Sequence, residues 1–180
     1  MLAVTFTRAA AAQMRERYLA LSGQNATAVT FSTFHGIFYA VLRGAYGISG
    51  GNLLSGEPKF KLLEALLDRL GLAARQPRQQ AETLEQELSC LKSRSVTWEK
   101  FSPVSVNKED FPAVYREYGR MLRERGQMDF DDLLVKSLTL FKQEPGVERQ
   151  WQRRFSHILV DEFQDIDNLQ YQLLQRLALP

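Results

Sequence analysis

Three short apolar runs of strand type interrupt a chain that elsewhere carries its hydrophobic residues at helical spacing. The first run, Leu2-Ala3-Val4-Thr5-Phe6-Thr7, leads straight into Arg8 to Leu21. There four consecutive alanines, with Met14, Tyr18 and Leu21, predict a helix. Ser22-Gly23-Gln24-Asn25 ends that helix with turn residues. A second strand is predicted over Thr27 to Phe31, running through Ser32-Thr33-Phe34-His35-Gly36 into a helix over Ile37 to Tyr46. The third run, His157-Ile158-Leu159-Val160, follows a short basic helix at Pro145 to Phe155. Its uninterrupted Ile, Leu and Val predict a strand buried on both faces, as in a parallel sheet covered by helices.

The pattern changes between the second and third runs. Gly44 to Gly56 holds five glycines and two serines, which marks a connector or subdomain boundary. Its Gly50-Gly51 pair is not followed by the Lys-Ser/Thr of a phosphate loop. From Glu57 to about Gly126 only helical spacing appears: Phe60-Leu63-Leu66-Leu67-Leu70, then Leu84-Leu88-Leu91, then Val114-Tyr118-Leu122. Ser93 to Asp110, with Trp98, Phe101 and Pro103, reads as irregular. The third of these helices turns Arg116, Arg120 and Arg123 outward, a face that is solvated or meets phosphate. Met128-Asp129-Phe130-Asp131-Asp132-Leu133-Leu134 opens a further helix. Asp129 is its expected N-cap, and Asp131 and Asp132 suit its positive end.

Strand-helix, strand-helix, a helical block and a final strand-helix predict an α/β fold with parallel strands joined by helical crossovers. Parallel strands present their carboxyl ends on one edge, where open α/β sheets bind ligands. Three exits would meet there: Thr5-Phe6-Thr7, Thr33-Phe34-His35 and Asp161-Glu162. Adjacent acids at a strand exit suit nucleotide hydrolysis, one holding magnesium and the other polarising water. The simpler alternative, that acids start the next helix, accounts for Asp167, which forms a capping box with Gln170. It does not reach Asp161 and Glu162. Phe6 and Phe34 have flat faces for unstacked bases, and the threonine hydroxyls suit phosphates. Core packing is the competing reading for each ring.

Composition adds limits rather than direction. A net charge of +2 permits a polyanionic partner without demanding one. The one cysteine, Cys90, excludes an internal disulfide and, with only His35 and His157 beside it, a Cys/His zinc site is not expected. No apolar run is long enough for a membrane span, and the N-terminus lacks a signal peptide's basic n-region, so a cytoplasmic protein is expected. A strand beginning at Met1 with no lead-in gives the further expectation that the chain is a piece of a longer one.

Four segments resemble the motifs of UvrD/Rep-type superfamily 1 DNA helicases. Thr5-Phe6-Thr7-Arg8-Ala9-Ala10-Ala11-Ala12-Gln13-Met14 is similar to motif Ia, and Thr33-Phe34-His35-Gly36 to motif Ib. Met128 to Leu134 resembles that family's Leu-Asp-Phe-Asp-Asp-Leu segment, and Val160-Asp161-Glu162-Phe163-Gln164-Asp165 its motif II, the Walker B element. The resemblance implies a partial RecA-like (P-loop NTPase) domain, 1A, made of residues 1–46 and 127–180, with a helical subdomain 1B inserted over 47–126. It implies ATP and Mg2+ as cofactors, with Asp161 on the metal, Glu162 as general base and Gln164 near the nucleotide. It places Thr5, Phe6, Thr7, Thr33, Phe34 and His35 on single-stranded DNA. The implied activity is 3′ to 5′ translocation with duplex unwinding at single-strand/duplex junctions, alongside repair or replication proteins. Two departures stand out. No Gly-x-x-x-x-Gly-Lys-Thr occurs in the chain, and Ile166 stands where a threonine often follows motif II. With that loop and the family's second RecA-like domain missing, the isolated chain is expected not to hydrolyse ATP. The alternative is a non-catalytic single-stranded-DNA-binding module derived from a helicase.

Overall fold

The structure, a computed structural model, describes residues 1–22, 29–94 and 101–178. The predicted turn at Gly23 to Asn25, the start of the second strand at Thr27 and the irregular stretch around Trp98 lie outside the described residues. The described chain divides into two compact units, Met1–Ile48 with Leu133–Pro180, and Ser49–Asp132.

In the first unit β1 (Leu2–Thr5), β2 (Thr30–Thr33) and β3 (Ile158–Val160) form a parallel sheet in the order β2-β1-β3. Leu2 pairs with Thr30 on one side and Ile158 on the other, and Val4 with Ser32 and Val160. The fold is thus the mixed α/β, partial RecA-like arrangement that the resemblance implies. The central strand is buried along its length, because both its neighbours and the helices cover it. The expected burial of the third strand on both faces is not observed. β3 lies at the sheet's edge, and Leu159 is 56% exposed. Its apolar sequence is that of an interior strand, but among the described residues nothing covers that face.

Helix α1 (Arg8–Ser22) buries only Ala11, and Tyr18 packs on Phe31 with ring centroids 5.6 Å apart. The core comes mainly from α2 (Phe34–Tyr46), whose Phe38 meets Phe141 of α6 (Phe130–Gln143) edge-on at 6.3 Å. Leu169, Leu173 and Leu177 of α8 (Asn168–Ala178) are also buried. Between them, α7 (Pro145–Arg154) is tied to α8 by the 2.8 Å ion pair of Glu148 with Arg176. The second strand ends later than its sequence indicates, at Thr33, and α2 starts at Phe34 rather than Ile37. The reason is Thr33, which leaves the sheet as an N-cap.

The second unit holds α3 (Glu57–Arg69), α4 (Pro77–Arg94) and α5 (Phe111–Glu124). Their leucine seams interlock in one core with Leu63, Leu66, Leu84, Leu88, Val114 and Leu122. Gly71, at φ 69°, lets the chain turn out of α3 where a side chain would be strained. The unit closes on itself where the chain enters and leaves it. Leu53 bridges Met128, and the Asn52 side chain donates to the Gly126 carbonyl at 2.8 Å. The glycine-rich stretch is therefore a tied connector, and residues 127–132 stay with the helices. On α5, Arg120 is held by Glu117 and Glu124, and Glu117 also takes Arg69 at 3.2 Å. Of the arginines on that face, Arg120 is thus neutralised locally.

Beneath the helices lies a buried ionic cluster. The Asp129 carboxylate, fully buried, accepts the Asp132 backbone N–H at 2.9 Å, which caps α6. Its other oxygen accepts from Lys92 at 2.8 Å and from the Tyr118 hydroxyl at 2.9 Å. Lys92 also reaches Asp132 at 2.8 Å, while Lys59 pairs with Glu85 at 2.9 Å and lies 3.7 Å from Asp129. Burial alone pushes the Asp129 carboxyl up. The neighbouring Lys92 and Lys59 charges outweigh it and hold the group below the ordinary carboxylate value. Asp131 goes the other way: burial, then repulsion from Asp129, raises it, although Ser89 donates to it at 3.0 Å. The capping role read from the sequence is present, and the lysine partners add a second one.

Candidate functional site at the carboxyl ends of the strands

All three strands run the same way, so their exits lie side by side with β1 in the centre. Thr5 is the last residue of β1, paired with Thr33 on one flank. On the other flank the Asp161 N–H donates to the Val4 carbonyl at 2.9 Å, continuing the ladder one residue past β3. That register brings the Thr5 hydroxyl to Asp161, to which it donates at 3.2 Å. Asp161 Oδ1 accepts nothing from the protein among the described residues.

Glu162 comes next, with φ 52° and ψ 46°, the one non-glycine in the left-handed region among the described residues. Such a conformation costs an ordinary residue about 1–2 kcal/mol. It turns the chain off the strand into the short helical turn Phe163–Asp165, and the Asp165 N–H closes on the Glu162 carbonyl at 2.9 Å. The Glu162 side chain is exposed and receives a hydrogen bond from the Gln164 amide. Asp167 and Gln170 form the expected reciprocal cap of α8, at 2.7 and 3.3 Å. The cap of α8 is therefore Asp167, not Asp161 or Glu162.

The threonines and aromatics separate into distinct roles. Thr7 accepts the Ala10 N–H at 3.0 Å and Thr33 the Gly36 N–H at 3.1 Å, so each caps the helix that follows its strand. A Cβ on Gly36 would stand 2.6 Å from Ser32 Oγ and 3.2 Å from Thr33 Oγ1, which explains the glycine in this tight first turn. Replacing Thr33 with alanine is expected to cost about 1 kcal/mol by loss of the cap, with serine retaining most of it, measurable by urea unfolding. Thr5 and Phe34, expected at a DNA-facing surface, are each only 2% exposed. The Thr5 hydroxyl is turned inward by Asp161, and Phe34 is drawn into the core as the first residue of α2. Phe6 stays 39% exposed, its ring centroid 5.9 Å from that of Phe34 and tilted by 54°. His35 is half-buried. No periodicity in the sequence distinguishes Phe6 from Phe34. The difference lies in which ring follows a strand and which begins a helix.

Among the described residues no three His, Cys, Asp or Glu side chains gather to hold a metal by themselves. Magnesium at a phosphate needs only one or two carboxylates, the rest of its shell being water and phosphate oxygens. Asp161, half-buried with one oxygen tethered, beside an exposed Glu162, fits that demand.

One edge of the parallel sheet thus carries paired acids at one strand exit and an exposed aromatic at the next. The chain belongs to the UvrD/REP helicase N-terminal domain family, matching it over residues 1–180. It is 32% identical to ATP-dependent DNA helicase UvrD1 of Mycobacterium tuberculosis over 187 residues, covering 98% of this chain and 24% of that protein. Against ATP-dependent DNA helicase PcrA of Bacillus subtilis it is 32% identical over 185 residues, covering 98% and 24%. DNA helicase II of Escherichia coli gives 32% over 185 residues, covering 98% and 25%. The chain thus spans about a quarter of the length of the curated relatives it matches. No helix among the described residues is long and apolar enough to cross a membrane.

Proposed function

We propose that this chain is the motif Ia to motif II part of an ATP-dependent DNA helicase that moves 3′ to 5′ on single-stranded DNA and opens the duplex ahead. The first unit is the 1A domain in this reading, and the helical unit is subdomain 1B. The observation that carries it is the adjacency at the end of β1. Phe6 shows an aromatic face to solvent, and the residue before it, Thr5, is hydrogen-bonded to Asp161. The proposed base-stacking ring is therefore one residue along the chain from the hydroxyl that binds the proposed nucleotide-site acid. The relatives' names, ATP-dependent DNA helicases, support the same reading.

In this site Asp161 would hold magnesium and Glu162 would take the proton of the attacking water, with the Gln164 amide orienting its carboxylate. Magnesium-ATP supplies the phosphoryl group whose hydrolysis powers the motor. Phe6 stacks on a base, while His35 and the exposed Thr7 flank the strand. Thr33 is present first as the cap of α2.

The 180 residues contain no Gly-x-x-x-x-Gly-Lys-Thr, the loop that cradles the phosphates. That favours a second reading for the chain by itself, a single-stranded-DNA-binding module without turnover. The isolated chain is expected to bind a labelled oligonucleotide weakly in anisotropy, with affinity falling steeply as salt rises. Its phosphate release with DNA and magnesium-ATP should not exceed that of Glu162→Gln. No binding at low salt would sink the DNA surface, and release above the control would sink the expected inactivity.

A further inference from the structure

Thr5 has no place in the reading above as a surface contact, because it is buried. Its hydroxyl nevertheless does something specific. It is a neutral donor aimed at one oxygen of Asp161, across a strand pair whose register is fixed by Leu2–Ile158 and Val4–Val160. The Asp161 backbone is already pinned to Val4, so the Thr5 bond fixes the remaining freedom, the rotation of the carboxylate. With Oδ2 held, Oδ1 is the oxygen left for another ligand. A valine at this position would satisfy the strand and the core equally well, since its shape and branching match threonine's. The hydroxyl itself is used only at Asp161 among the described contacts.

The geometry points to Thr5 as a positioning residue for the metal-holding acid: its buried hydroxyl orients Asp161 so that one carboxylate oxygen faces a divalent cation. This rests on the reading that Asp161 is the magnesium acid. A hydrogen-bonded partner behind a ligating carboxylate typically changes metal affinity by about 10- to 100-fold when removed. The same strand carries Phe6 at its next position. The residue that sets the acid is therefore covalently next to the proposed base-stacking ring.

The test uses the whole chain and Mn2+ as a paramagnetic probe, read by broadening of amide resonances around Thr5, Asp161 and Glu162. Wild type should show saturable broadening there, and Asp161→Asn should abolish it. Thr5→Val is expected to need about tenfold more Mn2+ for the same broadening, and Thr5→Ser to restore wild-type behaviour. Thermal unfolding and the amide spectrum check that each variant keeps its fold. A Thr5→Val chain with the wild-type titration, while Asp161→Asn abolishes it, overturns the positioning role and leaves the acid's assignment standing. Loss in Thr5→Val that Thr5→Ser does not rescue also overturns it, since packing rather than the hydroxyl would be responsible. Broadening that is absent in wild type, or unchanged in Asp161→Asn, overturns the metal reading and this inference with it.

Discussion

Asp129→Ala is expected to destabilise the helical unit by about 3–5 kcal/mol, the usual penalty for removing one partner of a buried ion pair. The substitution leaves the Lys92 and Lys59 ammonium groups without their shared carboxylate, and the Tyr118 hydroxyl without its acceptor. It also removes the cap on the Asp132 N–H. Asp129→Asn keeps an oxygen for that cap and should be less damaging by about 1 kcal/mol. Urea unfolding at neutral pH, with hydrogen exchange on α4 and α5 amides to isolate this unit, measures both. A loss under about 1 kcal/mol for alanine would show that Asp132 and Glu85 suffice for the lysines. The pH dependence has a definite sign. Asp129 is held low in the folded chain, so its contribution is complete above the ordinary carboxylate value of about 4 and disappears as pH falls through the folded one. Asp131 is held high and works oppositely. Its protonation, which burial and the Asp129 charge shift to higher pH, relieves repulsion, and Asp131→Asn should leave stability unchanged or slightly higher at pH 7.

This cluster marks a limit of what periodicity reveals. Asp129, Asp131 and Asp132 read from the sequence as helix-starting acids, and Asp129 is the cap. Their lysine partners come from α3 and α4, far away in the chain. A helical-spacing argument assigns Lys59 and Lys92 to polar faces because it has no knowledge of which helix lies opposite. The leucine seams of α3 to α5 were legible for the converse reason. Burial of an amphipathic stripe is dictated locally, whatever it packs against.

At the strand exits the legible part was again the backbone logic. Short strands joined by helices predict parallel pairing, and parallel pairing predicts adjacent exits. Side-chain assignment was less accessible. Thr5 and Thr7 are two residues apart, yet one faces inward to Asp161 and the other caps a helix, a difference set by where β1 stops. The left-handed Glu162 carries no sequence signal at all, since glutamate seldom adopts that conformation. The exposed Leu159 misleads in the opposite direction. Its run has the composition of a buried interior strand, but its place is at the sheet's edge.

Phe6→Ala is the substitution with the largest expected effect on DNA. Stacking a base on an aromatic side chain is worth about 1–3 kcal/mol, so binding should weaken roughly 5- to 150-fold in the anisotropy assay. Phe6→Tyr retains the π-face and should stay near wild type. Phe34 provides the contrast. It is 2% exposed and its ring meets that of Phe6 at a tilt, so Phe34→Leu should change binding less than Phe6→Ala while lowering stability more. Salt separates stacking from charge. Removing a neutral ring takes away no phosphate contact, so log affinity against log salt should drop in height and keep its slope. A changed slope would mean that the variant has disturbed cationic contacts elsewhere. Wild-type affinity in Phe6→Ala would remove the stacking surface from the proposed site, and with it the reason for placing DNA at the end of β1.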